Sequence, residues 1–182
     1  MTNHQYVTLP PAQPLPEGVQ ILPETASHAE VIEALNAFSF GPGRFAKSAY
    51  KLRRNNPPVL AYNRVCMLNG RLIGAVCFSR IRIGPAPALL LGPLAVHPDF
   101  KNNGIGLALM RDGMAAAKAA GETLVVLVGD APYYARAGFL PVPRGQMVMP
   151  GPVDYGRLLA CEFVAGSLEQ AHGPMRPDPR DS

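Results

Sequence analysis

One stretch limits what this 182-residue chain can fold into more than any other. An apolar run, Ala88–Val96, leads through Lys101-Asn-Asn-Gly-Ile-Gly106 into a segment rich in Ala, Leu and Met, Gly104–Ala120, which Gly121 ends; a second apolar run, Leu124–Val128, follows. Two buried strands separated by one helix make a βαβ unit, whose crossover forces the strands to lie parallel. Upstream, the strand-like segments Val59–Leu68 and Arg71–Ile83 flank Asn69-Gly70. Both residues of that dipeptide tolerate the positive φ of a type I′ turn, so a hairpin with antiparallel pairing is expected. Parallel and antiparallel pairs together require a mixed α/β sheet. Pro93 cannot donate to a ladder, so Gly92-Pro93 predicts a bulge inside the central strand.

The flanking segments complete an order β-α-α-β-β-β-α-β-α-β-β. Val19–Leu22 reads as a first strand, and Ser27 as the cap of a helix over 28–38, with Glu30 closing a capping box. Gly41-Pro42-Gly43 breaks the chain before a basic helix over 44–54 that carries Arg44, Lys47, Lys51, Arg53 and Arg54. Pro132–Ala137 is a short helix with Gly138 at its turn, and Leu158–Val164 the last strand. Pro10, Pro11, Pro14 and Pro16 make residues 1–17 an extended leader, and Gly173, Pro174, Pro177 and Pro179 make residues 166–182 a flexible tail. The single domain is then 18–165.

With 48% hydrophobic residues the chain can build a core. Its longest apolar stretch is half of what a membrane helix needs, so no membrane partner is expected. The first residues show no signal peptide, and three cysteines suggest free thiols in the cytoplasm. The hairpin register separates Cys66 and Cys77 by four residues along the ladder, roughly 13 Å, too far for a disulfide.

The net charge is +4, but no acidic residue lies between Glu33 and Asp99, where nine of the 17 Lys and Arg fall. A solvated basic face and a small phosphorylated ligand both remain open. Nucleic acid is disfavoured, because the few aromatics are not interleaved with basic residues.

The turn Lys101, Asn102, Asn103, Gly104, Ile105, Gly106 opens a helix whose unpaired N–H groups carry the positive end of its dipole. That is a cradle for a pyrophosphate, or else a plain strand-to-helix turn. No Gly-Lys-Ser/Thr follows, which excludes a Walker loop, and the glycine spacing excludes a dinucleotide fingerprint.

Leu94-Ala-Val96-His-Pro98 followed by Lys101-x-x-Gly104-x-Gly106, with Tyr134-Ala-Arg-Ala-Gly138-Phe139 further on, resembles the GNAT superfamily of acetyl-coenzyme A-dependent N-acetyltransferases. The likeness covers roughly residues 19–165. Lys101 replaces the usual Arg or Gln, and the short link Gly129-Asp130-Ala131-Pro132 lacks the Asn-containing helix of many members.

The resemblance implies acetyl-CoA as cosubstrate, no metal, and an amine acceptor, either a small molecule or a peptide. Family members are often dimers, which leaves a homodimer open. By the same likeness, backbone groups of Leu94, Ala95 and Val96 hold the pantetheine and polarise the thioester carbonyl. Tyr134 is the general acid for the departing thiolate, with Tyr133 the neighbouring alternative. The amine must lose a proton first, and His97, Glu33, Asp130 and Glu162 are the candidate bases, or a water chain. A catalytically silent CoA-binding sensor is the competing reading. The acid-free stretch predicts an electropositive acceptor cleft that favours acidic or zwitterionic amines.

Overall fold

The computed structural model describes residues 11–179, so part of the expected leader, residues 1–10, lies outside the described residues. The strands are β1 (Val19–Pro23), β2 (Arg64–Leu68), β3 (Arg71–Ile83), β4 (Ala86–Val96), β5 (Leu124–Val128), β6 (Leu140–Pro141), β7 (Met147–Val148), β8 (Leu158–Glu162) and β9 (Gly173–Pro177). The helices are α1 (Ala29–Phe40), α2 (Ser48–Lys51), α3 (Ile105–Ala119), α4 (Ala131–Ala135) and α5 (Ser167–Gln170). The main sheet runs β1-β2-β3-β4-β5-β8-β6, antiparallel except where β4 meets β5. Among the described residues, no helix is long and apolar enough to cross a membrane.

Asn69 and Gly70 turn the hairpin at φ 49° and 78°, as a type I′ turn requires. Pairing starts in the expected register, Leu68 opposite Arg71, but a bulge shifts it, and Cys66 faces Gly74 rather than Ile73. All three cysteines are free. The strand expected from Val59 begins only at Arg64, because the segment before it folds into turns tied by Asn63, whose side-chain oxygen accepts from the Phe78 amide at 2.8 Å.

The apolar run of β5 is buried on both faces. Val125 and Leu127 join one core with Phe78, Leu109 and Met110 of α3, while Leu124 and Val126 join a second with Leu52, Met149 and Met175. Such two-faced burial is what a central strand with a parallel neighbour demands.

Three expectations need correction. The basic helix over 44–54 does not form: a 3-10 turn, Pro42–Ala46, and α2 are separated by Lys47 in extended conformation (ψ 140°). Tertiary contacts override the local pattern there. Arg44 pairs with Glu33, and the Ser48 hydroxyl donates to the Pro152 carbonyl at 2.5 Å. The cap of the first helical segment is Thr25, whose amide donates to His28 Nδ1 at 3.1 Å, rather than Ser27 with Glu30.

The third concerns residues 166–182, which are not a loose tail over their described part. β3 is 13 residues long and outruns β2, so Ile81, Arg82 and Ile83 would present an open edge. β9 pairs there antiparallel, with Met175 opposite Ile83, and Arg82 forms an ion pair with Asp178 at 3.2 Å. The expected strand at 158–164 is followed by a further one, as the order ending in two strands allows, and an edge in need of pairing explains where it docks.

Candidate active site

β4 and β5 pair at only two positions, Leu89 with Val125 and Leu90 with Val126. Beyond them β4 continues six residues with no strand on that side. Within that stretch Gly92 and Pro93 together face the single residue Cys77, the bulge expected of this dipeptide. The strands part around a cavity of about 510 Å³, lined by Leu91–Leu94 on one side and Val128–Asp130 on the other. Lys47, Tyr50 and Arg53 wall it from the segment after α1, and Asp154 and Arg157 from the segment before β8.

A second cavity of about 440 Å³ lies over the start of α3. Gly104 caps the helix in the left-handed region (φ 76°, ψ −3°), and Ala108 is where helical pairing starts, its amide donating to Gly104 O at 3.0 Å. The amides of residues 105–107 precede any carbonyl partner and aim at the ligand side with the helix dipole. Lys101, Asn102, Gly104, Ile105 and Gly106 line this cavity; Asn103 is exposed beside them. A Cβ on Gly106 would sit 2.3 Å from the Tyr133 hydroxyl oxygen, so only glycine leaves the cradle its close approach. Gln13 of the leader lies over Gly104, and Arg136 donates to its side chain at 3.5 Å.

Three residues line both cavities: Leu94, Tyr133 and Tyr134. Val96 lines the cradle alone, and Ala95 is buried with its side chain away from both. The Tyr134 ring packs edge-on against Tyr133 at 5.0 Å and Phe139 at 6.0 Å. Burial, with smaller help from Tyr133 and Asp130, pushes its phenol up to about 12 against the pull of Arg157 and Arg53. It therefore stays protonated near neutrality, the form that can donate. Burial also raises the Tyr133 phenol, opposed by Arg136.

Of the four candidate bases, Asp130 is the one that lines the larger cavity. Glu33 is paired with Arg44, Glu162 accepts from the Leu168 amide at 2.7 Å, and His97 stacks on Phe38 at 5.6 Å with its Nε2 3.2 Å from Arg71. Cys77 sits beneath the bulge, but burial pushes its thiol up to about 12, so it offers no thiolate. Among the described residues, no cluster of three or more His, Cys, Asp or Glu could hold a metal. In the sequence Arg53 belongs to a basic segment open either to a solvated face or to contact with an acidic acceptor or cofactor phosphates; its place in the wall of the cavity is visible only in the fold.

The chain that builds this split strand pair and helix-capped cradle has known relatives. The profile of the acetyltransferase (GNAT) family matches residues 29–139. This chain is a GNAT acetyltransferase family member. It is 28% identical over 130 residues to the uncharacterized N-acetyltransferase YjhQ of Escherichia coli strain K12, covering 69% of this chain and 71% of that protein. The E. coli GNAT protein YhbS, solved in complex with CoA, shares the fold with a TM-score of 0.75 at 23% identity, over 93% of this chain and 92% of the other. A GNAT acetyltransferase from Brucella melitensis, solved with acetyl-CoA, aligns with a TM-score of 0.57 at 29% identity, over 77% and 94% of the two chains.

Proposed function

We propose that the protein transfers the acetyl group of acetyl-CoA to a primary amine by direct attack. The observation that carries this reading is the meeting of the two cavities at Leu94, Tyr133 and Tyr134, with the open edge of β4 between them. The residues fit the cosubstrate: the amides at 102–106, with Lys101 beside them, receive a pyrophosphate, and the glycine at 106 leaves room for it. Acetyl-CoA supplies a thioester carbonyl, electrophilic toward a neutral amine.

Leu94, Ala95 and Val96 contribute backbone groups on the strand edge that β5 has left, positioned to extend the ladder to a pantetheine arm. An amide fixed at a developing oxyanion is worth about 3 kcal/mol of transition-state stabilisation. Tyr134 holds the proton for the leaving sulfur, and Asp130 is the carboxylate through which the ammonium's proton departs, directly or by water. A silent CoA-binding module would need the cradle alone; the tyrosine facing both cavities favours the enzyme. The test is thiol release from acetyl-CoA across a panel of amines. Tyr134→Phe should retain acetyl-CoA affinity and lower kcat by about 10²–10⁴-fold. Wild-type turnover by that variant would remove Tyr134 from the mechanism.

A further inference from the structure

The acid-free stretch 34–98 leaves its arginines to find carboxylates elsewhere in the fold, and most do. Arg44 pairs with Glu33, Arg64 with Asp112, Arg80 with Glu122 and Arg82 with Asp178. Arg53 is different. Among the described residues its guanidinium has no carboxylate and no hydrogen bond, and its Nε is buried without a partner. It stacks over the Tyr50 ring at 4.8 Å, and the Tyr50 hydroxyl is likewise buried and unpartnered. One guanidinium nitrogen lies 2.9 Å from where a Cβ on Gly92 would stand, so the group rests against the bulge of β4. Its remaining exposure is to the larger cavity, which it lines together with Tyr134.

Enclosing an arginine without an anion is unfavourable, and a ligand anion that completes it would remove that cost. The cavity holds three cations, Lys47, Arg53 and Arg157, against two carboxylates, Asp130 and Asp154, one of which already accepts from the Gly156 amide at 2.9 Å. The surplus is one positive charge. A neutral amine that carries one carboxylate supplies the matching single negative charge.

We infer that Arg53 anchors the carboxylate of the acceptor, so that the substrate class is an amino acid or another small amine bearing one carboxylate. The inference rests on the acetyltransferase reading. The planar fork of a guanidinium matches two carboxylate oxygens. Anchored at the bulge, such an acceptor presents its amine toward Tyr134 and Asp130 rather than toward the cradle. A phosphate is the other anion Arg53 could hold, but its second negative charge would meet Asp130 and Asp154 in the same cavity.

The experiment measures kcat/KM by thiol release for amino acids, each paired with its carboxamide and its decarboxylated amine, and corrected for the fraction of neutral amine. O-phosphoethanolamine is run beside β-alanine. Charge-assisted hydrogen bonding predicts a preference for the carboxylate of about 10–150-fold. Arg53→Gln should erase that ratio mainly through KM, and Arg53→Lys should restore part of it, since charge is kept and the fork lost. Equal efficiency for acid and carboxamide in the wild type overturns the inference while leaving the transferase intact. So does a preference for O-phosphoethanolamine, or an Arg53→Gln variant that weakens acetyl-CoA binding yet keeps the ratio. Thiol release with no amine at all overturns the transferase reading itself.

Discussion

Gly129 is where the position of Tyr134 can be tested without touching its hydroxyl. A Cβ at 129 would stand 2.1 Å from Cε2 of the Tyr134 ring, 2.7 Å from Cδ2 and 3.0 Å from Cζ. Carbon atoms in contact sit about 3.5–4.0 Å apart, so Gly129→Ala must drive the ring back by roughly 1.5 Å. Retreat is resisted on both sides. The ring is wedged against Tyr133 and Phe139, and the Gly129 backbone is tied to Arg157, whose carbonyl accepts from its amide at 2.9 Å.

Overpacking of this kind costs about 1–3 kcal/mol, which for a domain of this size lowers Tm by about 2–12 °C. Displacement of a catalytic group by about 1 Å costs on the order of 10² in kcat. Thiol-release kinetics and thermal melts read both. The decisive arm is the double variant with Tyr134→Phe, which should turn over no more slowly than Tyr134→Phe alone, because the glycine acts through that hydroxyl. Wild-type kcat in Gly129→Ala, or fully additive losses, would refute the assignment.

Gly104→Val places a β-branched residue at φ 76°, in the left-handed region, and should abolish acetyl-CoA binding by calorimetry while the fold persists; unchanged affinity would exclude the cradle. Burial raises Cys66 and Cys161 to about 11 and Cys77 and Tyr134 to about 12, from ordinary values of 9.0 for the thiols and 10.0 for the phenol. The folded state thus holds these protons more tightly than the unfolded one, a stabilisation complete below the ordinary values and lost as pH rises through the folded ones. Melting temperature should fall as pH rises from about 9 to about 12, and a flat profile would contradict that burial.

What the sequence disclosed was set by local chemistry. The Asn69-Gly70 turn, the five residues of β5 and the bulge at Gly92-Pro93 each depend on backbone rules that neighbours cannot override. The cradle is of this kind too, since Gly104 and Gly106 write their geometry into the turn. What stayed hidden depends on distant partners. Lys47 breaks the basic segment because Arg44 and Ser48 are engaged by Glu33 and Pro152. β9 is poor in strand-forming residues and exists because β3 offers an unpaired edge. Arg53 looked like its basic neighbours, and only the fold shows its guanidinium enclosed beside the bulge with its Nε unpartnered.

The brief pairing of β4 with β5 also governs traffic. Because the strands part after two residue pairs, the sheet has a gap, and the two cavities reach it past different rims: 101–106 with Arg136 for one, 47–53 with 152–157 for the other. On the proposed reading, donor and acceptor travel separate corridors that meet at a tyrosine, and neither must vacate before its counterpart arrives. With the Cys77 thiol held protonated under the bulge, nothing at the junction invites a covalent relay. Initial-velocity lines for the two substrates should therefore intersect; parallel lines would mean that the acetyl group rests on the protein between two visits.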